Sequence, residues 1–201
     1  MSQAAVTLEP REPFKLNVQG IILTDEQFEL LCRENPELRL EITAQKELVI
    51  MPPTGSESGW RSGEVYFSLT AWSKQDQTGL SFDSSTGFTL PNGAVRSPDA
   101  SWAKRERWDA LAKDQRIKFA PLSPDFAIEV RSPTDKVSAL HEKMQEYLDN
   151  GVRLGWLIDP FEKRVYVYRP GQPVETLDNP TSVSGEAVLP GFVLFVRELW
   201  S

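Results

Sequence analysis

The run DFAIEVR, from Asp125 to Arg131, does most to limit what this chain can fold into. Side chains alternate between the two faces of a strand. Phe126, Ile128 and Val130 therefore make one apolar face, and Asp125, Ala127, Glu129 and Arg131 make the other. A helix-patterned segment, KVSALHEKMQEYLDNG, and a second apolar run, RLGWLID, follow directly. That order suggests a central strand, yet one face carries a carboxylate and a guanidinium, and burying an unpaired charge is costly. Two readings fit. Either this is an edge strand with a solvated outer face, or it lines a cleft in which Glu129 does chemistry.

The remaining pattern is mixed. Residues 1–20 are weakly patterned and read as an arm or loose edge element, ahead of a single domain over 21–201. TDEQFELLCREN reads as a helix, with Thr24 and Gln27 placed for a capping box. LRLEIT and ELVIMP read as paired strands joined near Gln45 and Lys46. A longer helix is expected from Ser56 to about Gln77. GLSFD, GFTL and SPDASWA read as short strands, with Asn92-Gly93 as a hairpin signal. RERWDALA reads as a short helix. RLGWLID pairs with RVYVYR around Asp159-Pro160, and one or two further strands are expected after Pro173. The fold class is α/β, with a central sheet.

Composition narrows the chemistry. The 201 residues carry 22 basic and 29 acidic side chains, for a net charge of −7. That excludes coating nucleic acid by charge alone, but leaves room for a local basic groove or a metal that offsets the acidity. The single cysteine, Cys32, and single histidine, His141, exclude a disulfide framework, a cysteine zinc site and a histidine-rich metal site. No run of about 18 apolar residues spans a membrane, and no secretory leader pattern is present. The expectation is a soluble cytoplasmic protein. There is no phosphate-binding GxxxxGK[ST] loop, and the residue at the centre of TGSESG is Glu57, so the serine-elbow reading fails.

Three further polar residues interrupt apolar patterns. Asp99 follows Pro98 at the start of a strand, where a turn aspartate is common. Glu64 falls with Trp60, Phe67 and Ala71 on one helical arc, either toward the core or over its rim. Lys143 borders the stripe of Leu140, Met144 and Tyr147, where a lysine can also bury its stem and keep its head in water. Together these make three carboxylates and a lysine in the order helix, strand, strand, helix. Mg2+ or Mn2+ takes oxygen ligands from few protein groups. Asp99 and Glu129 are the candidate metal ligands.

The segments SPDASWAKRERW, SPDFAIEVRSPTDK, KMQEYLDNGVRLGWLIDP and VYVYRPG resemble the Uma family, also called domain of unknown function 820. The likeness runs from about Glu41 to Gly171 and extends to the end of the sequence. This family is assigned to the PD-(D/E)XK superfamily. The resemblance implies a restriction-endonuclease-like core: a central mixed β-sheet flanked by helices, with additional N-terminal and C-terminal strands. It implies Mg2+-dependent cleavage of DNA and, from the habits of the superfamily, a homodimer. Asp99 matches the aspartate of the PD element, and Glu129 the acid of the second half-motif. The usual lysine of that half-motif is replaced by Arg131, and Lys143 matches a lysine moved to the next helix. Glu64 is similar to the acid of the first core helix, with Glu57 as the competing candidate. Arg131 is left with two roles, phosphate contact or a structural pair with Asp125 or Asp135.

A metal-dependent endodeoxyribonuclease using Asp99, Glu129, Lys143 and Glu64 is the first functional reading. The alternative is a catalytically inactive nuclease fold that binds nucleic acid or protein. A purely structural homodimer is the third, and it predicts an apolar surface patch from Trp102, Trp108, Trp156 or Trp200.

Overall fold

A computed structural model of the chain describes residues 13–21 and 23–200. Its elements, in chain order, are β1 (Phe14–Asn17), α1 (Asp25–Glu34), β2 (Arg39–Ile42), β3 (Glu47–Met51), α2 (Ser56–Asp76), β4 (Gly79–Asp83), β5 (Phe88–Thr89), β6 (Val95–Arg96) and β7 (Ala100–Lys104). These are followed by α3 (Arg105–Asp109), α4 (Lys113–Arg116), β8 (Phe126–Val130), α5 (Val137–Asp149), β9 (Leu154–Asp159), β10 (Arg164–Tyr168), β11 (Glu175–Asp178), β12 (Ser182–Ser184) and β13 (Val193–Phe195). A 3-10 turn at Arg197–Trp200 comes last among the described residues.

Six strands form the main sheet in the order β11-β10-β9-β8-β7-β4. It is mixed, because β8 and β9 run parallel while the other neighbours are antiparallel. A parallel pair needs a crossover, and α5 supplies it. The fold class read from the sequence is therefore the one observed. β8 lies between β7 and β9 with all five residues buried, which removes the edge-strand reading. Phe126, Ile128 and Val130 pack with Val65 and Leu69 of α2, and with Leu189, Phe192 and Leu194 near the C-terminus. Ala127 lies on the opposite face with Met144 and Tyr147 of α5. Fully burying each such Leu, Phe or Met contributes roughly 1.5–3 kcal/mol. Both faces of β8 are thus covered by helices, and Glu129 lies on the face beneath α5.

Gly155 of β9 lets α5 settle close to the sheet. A Cβ there would stand 2.4 Å from Met144 Cε. This close approach brings Lys143, beside Met144, down over the end of β8.

A second sheet, of five antiparallel strands in the order β1-β3-β2-β6-β5, packs with α1 through Phe28, Leu40, Ile42 and Leu48. The predicted capping box on α1 is present, with Thr24 Oγ1 accepting from Gln27 N–H. β2 and β3 pair around a turn in which Lys46 takes φ 62. The stretch read as an arm ends in β1, an edge strand on β3. Residues 1–12 of it lie outside the described part.

Two expectations are corrected here. α2 does not present Trp60, Glu64 and Phe67 to the core. Its buried face is Ser58, Arg61, Val65, Leu69 and Ser73, while Trp60 and Phe67 are 43% and 67% exposed. The rotation follows from Val65, Leu69 and Trp72, a true i, i+4, i+7 stripe that packs on the sheet. Arg61 is tolerated inside because its Nε donates to the Leu199 carbonyl at 2.9 Å and Glu57 lies 2.7 Å from its guanidinium. Likewise, the tryptophans do not form a surface patch. Trp102 and Trp156 are core residues, and Trp108 and Trp200 are partly buried against it.

Candidate active site

A cleft of about 2090 Å³ opens between the two sheets and the start of α5. Asp99, Glu129 and Lys143 line it, as does Glu41 of β2. The antiparallel register pairs Ala100 of β7 with Ile128 of β8. One step further along, that register sets Asp99 beside Glu129. Asp99 Oδ2 accepts the Val130 N–H at 2.8 Å, which fixes the carboxylate against the end of β8.

From above, α5 contributes Lys143 and Tyr147, one helical turn apart on the same face. Lys143 Nζ lies 2.9 Å from Glu129 Oε1, and the Tyr147 hydroxyl donates to the same oxygen at 2.8 Å. Lys143 also donates to Glu41 Oε1 at 3.0 Å. Glu41 in turn accepts from Ser97 N–H at 2.9 Å and from the Arg96 guanidinium at 3.1 Å. Arg96 reaches on to Glu146 of α5 at 2.6 Å, and Glu146 accepts from the Asn92 side chain. One continuous polar network thus crosses from the five-stranded sheet, through α5, to the six-stranded sheet.

The electrostatics separate the carboxylates. Burial would raise Glu41, but Lys143, Arg96 and the Ser97 N–H outweigh it and hold the group at about 2. Burial pushes Glu129 up to about 7, with Asp99 and Glu41 adding to the rise against the pull of Lys143. Asp99 is also raised, mainly by burial. Lys143 loses solvation, yet the Glu129 and Glu41 charges drive it the other way and keep it protonated. Burial and the same two carboxylates raise Tyr147 well above its ordinary range, so it acts as a hydrogen-bond donor.

This donor set fits a hard divalent cation. Asp99 and Glu129 offer carboxylate oxygens side by side, and burial raises both. Among the described residues no cluster of three or more His, Cys, Asp or Glu forms a ready-made cage. Mg2+ does not require one, because it keeps several waters and binds through one or two carboxylates plus substrate phosphate.

The other expected site residues lie elsewhere. Glu64 is solvent-exposed on α2 and borders a separate small cavity with Val193, Leu194 and Phe195. Glu57 lies on the rim of the main cleft, exposed and paired with Arg61. Arg131 turns away from the cleft. It pairs with Asp159 at 2.9 Å and lies over the Phe161 ring. Neither proposed partner holds it. Asp125 binds Arg107 at 3.0 Å and the Lys104 N–H at the far end of β8, and Asp135 accepts the Ser132 N–H. A role for Arg131 in phosphate contact is therefore withdrawn.

Sequence reasoning missed Glu41, Arg96, Tyr147 and Glu146. Glu41 has the signal of a carboxylate between Leu40 and Ile42 in a short strand. A solvated face explains that pattern equally well. Tyr147 was assigned only to the apolar stripe of α5, where its ring does lie.

The family model described as "Putative restriction endonuclease" and named Uma2 matches residues 25–197. The chain belongs to the Uma2 family. Asp99, Glu129 and Lys143 all fall within the part that matches the Uma2 model, and of the cleft's lining Pro13 and Lys15 lie outside it. Among solved structures, the chain is similar to one from Anabaena variabilis ATCC 29413, described as a "putative nuclease belonging to DUF820". The match has 24% identity and a TM-score of 0.71, and it covers 82% of this chain and 90% of that one. It supports the fold. No curated protein matches the chain. No helix among the described residues is long and apolar enough to cross a membrane.

Proposed function

We propose that this Uma2 protein is a Mg2+- or Mn2+-dependent nuclease that hydrolyses phosphodiester bonds in DNA. The observation that carries the reading is the placement of Asp99 beside Glu129 in the cleft, with Lys143 bonded to Glu129. The family description and the nuclease description of the similar Anabaena variabilis structure point the same way.

In this reading Asp99 and Glu129 hold the cation. When bound, it supplies charge neutralisation at the phosphate and a more acidic water. Asp99 keeps its orientation through the Val130 N–H, and Glu129 through Lys143 and the Tyr147 hydroxyl. Lys143 is protonated and so is not the general base. Its fixed ammonium stabilises negative charge building on the phosphate oxygens as the water oxygen bonds to phosphorus, its proton passes to solvent and the bond to the leaving oxygen breaks. Glu41 positions Lys143 and takes no part in holding the cation, because it is already satisfied by Lys143, Arg96 and Ser97.

A second reading is a nuclease fold that binds nucleic acid or a protein without cutting, and the cleft's own charge counts against its nucleic-acid form. Among the described residues, ten carboxylates line the cleft against five cations, which weakens phosphate binding unless a divalent cation intervenes. Incubating plasmid and single-stranded DNA with the protein in Mg2+, Mn2+ or chelator separates the two. Nicking that requires metal and disappears in Glu129→Gln supports the nuclease. Binding without cleavage in every metal supports the second reading.

A further inference from the structure

We infer that Arg39 is the residue that grips the substrate's phosphodiester, an inference that rests on the nuclease reading of the cleft. Among the described residues five cations line that cleft, and four are engaged. Lys15 is paired with Glu47. Arg96 is held between Glu41 and Glu146, and Lys143 between Glu41 and Glu129. Lys136 has an interaction of its own.

Arg39 differs. At the start of β2, its side chain has one hydrogen bond among the described residues, from its terminal nitrogen to the Ser84 carbonyl oxygen at 3.0 Å. That acceptor is neutral, and the bond ties the guanidinium to the loop after β4 without discharging it. A guanidinium carries five N–H donors in a planar fork, so most remain for a ligand. The residue is partly buried. Arg39 stands two residues before Glu41 on the same side of β2, and Glu41 reaches Lys143 from that strand. Arg39 stands on the five-stranded sheet, and Asp99 and Glu129 stand on the six-stranded sheet. A phosphodiester against Asp99 therefore meets the guanidinium from the other wall.

The fork suits the non-bridging oxygens of a phosphate, which arginine binds through two parallel bonds and lysine as a point charge. In a cleft where carboxylates outnumber cations, one uncommitted guanidinium beside the reactive carboxylates is also what selects the phosphate to be cut.

The test is a labelled DNA oligonucleotide titrated by anisotropy at several salt concentrations, with Mg2+ cleavage measured in parallel. Arg39→Met is compared with Lys74→Met, which removes an exposed cation at the end of α2, outside the cleft. Arg39→Met is expected to weaken binding about 10- to 100-fold, the range for a charge-assisted hydrogen bond. It should also lower the salt slope by about one. Lys74→Met should match wild type. Arg39→Lys should recover only part of the loss and provides the comparison if Arg39→Met does not fold. Unchanged affinity and slope in Arg39→Met, or full affinity in Arg39→Lys, overturns the inference while cleavage by wild type leaves the nuclease reading standing. If wild type neither binds nor cuts DNA, the nuclease reading falls and the inference with it.

Discussion

The Lys143 ammonium sits 3.0 Å from Glu41 Oε1, although 102 residues separate the two in the chain. This contact joins the two sheets across the cleft. It also sets the position of a cation that faces Glu129 on its other side. Fold and site therefore depend on the same buried charges.

Glu41→Gln tests that dependence. The carboxylate is buried and compensates Lys143 and Arg96 together. Breaking a buried pair by removing one partner costs about 3–5 kcal/mol. Here each cation retains a second carboxylate, so a loss of about 3 kcal/mol is expected in urea unfolding. A change within about 0.5 kcal/mol, the range of neutral surface substitutions, would show that the network contributes nothing to joining the sheets.

Lys143→Met removes the ammonium and keeps most of the packed stem. Turnover is expected to fall on the order of 100- to 1000-fold, as for other fixed groups at developing charge. The melting temperature should also drop, because Glu129 and Glu41 lose a shared partner. Divalent-cation binding, followed by calorimetry, should persist or tighten. Wild-type cleavage by this variant would remove Lys143 from the chemistry.

Glu64→Gln should leave cleavage at the wild-type rate and stability within about 0.5 kcal/mol. The residue is exposed and borders a different cavity from Asp99 and Glu129. A loss of more than about tenfold, or 1.4 kcal/mol of barrier, would place it in the reaction after all.

The metal-free protein should lose stability as pH rises from about 4.5 to about 7. Glu129 has a folded value of about 7 against an ordinary 4.5. In that window the folded state holds a proton that the unfolded state has released, so unfolding becomes easier with rising pH. Glu41 has the opposite sign. Its folded value of about 2 lies below 4.5, and its contribution is lost as pH falls through that lower window. Melting curves in chelator should therefore show a decline between pH 5 and 7 that Glu129→Gln flattens. An equal slope in both proteins would mean that Glu129 is not the group responsible.

Much of this was legible in the sequence. Alternation in DFAIEVR placed Glu129 opposite the core face, and the helix that follows it supplied Lys143. The strand SPDASWA brought Asp99 alongside. What pattern could not show was the covering of one sheet by the other. Glu41, Arg96 and Glu146 come together only when β2, β6 and α5 meet, and each alone looks like an ordinary solvated residue. The error over Glu64 has a different origin. α2 has competing apolar arcs, one with Trp60 and Phe67 and one with Val65, Leu69 and Trp72. The sheet takes the second and leaves Trp60 and Phe67 exposed. Arg131 was misread because its partner, Asp159, sits on the neighbouring strand β9 and not on its own.

The account stands or falls on whether Asp99 and Glu129 hold one divalent cation together. Anomalous diffraction from crystals grown with Mn2+ locates it directly. The predicted result is a single strong peak within about 2.0–2.4 Å of an oxygen from each carboxylate, typical of hard-cation distances, that vanishes in Glu129→Gln. A peak bound elsewhere, or one at the same place in Glu129→Gln, would contradict it.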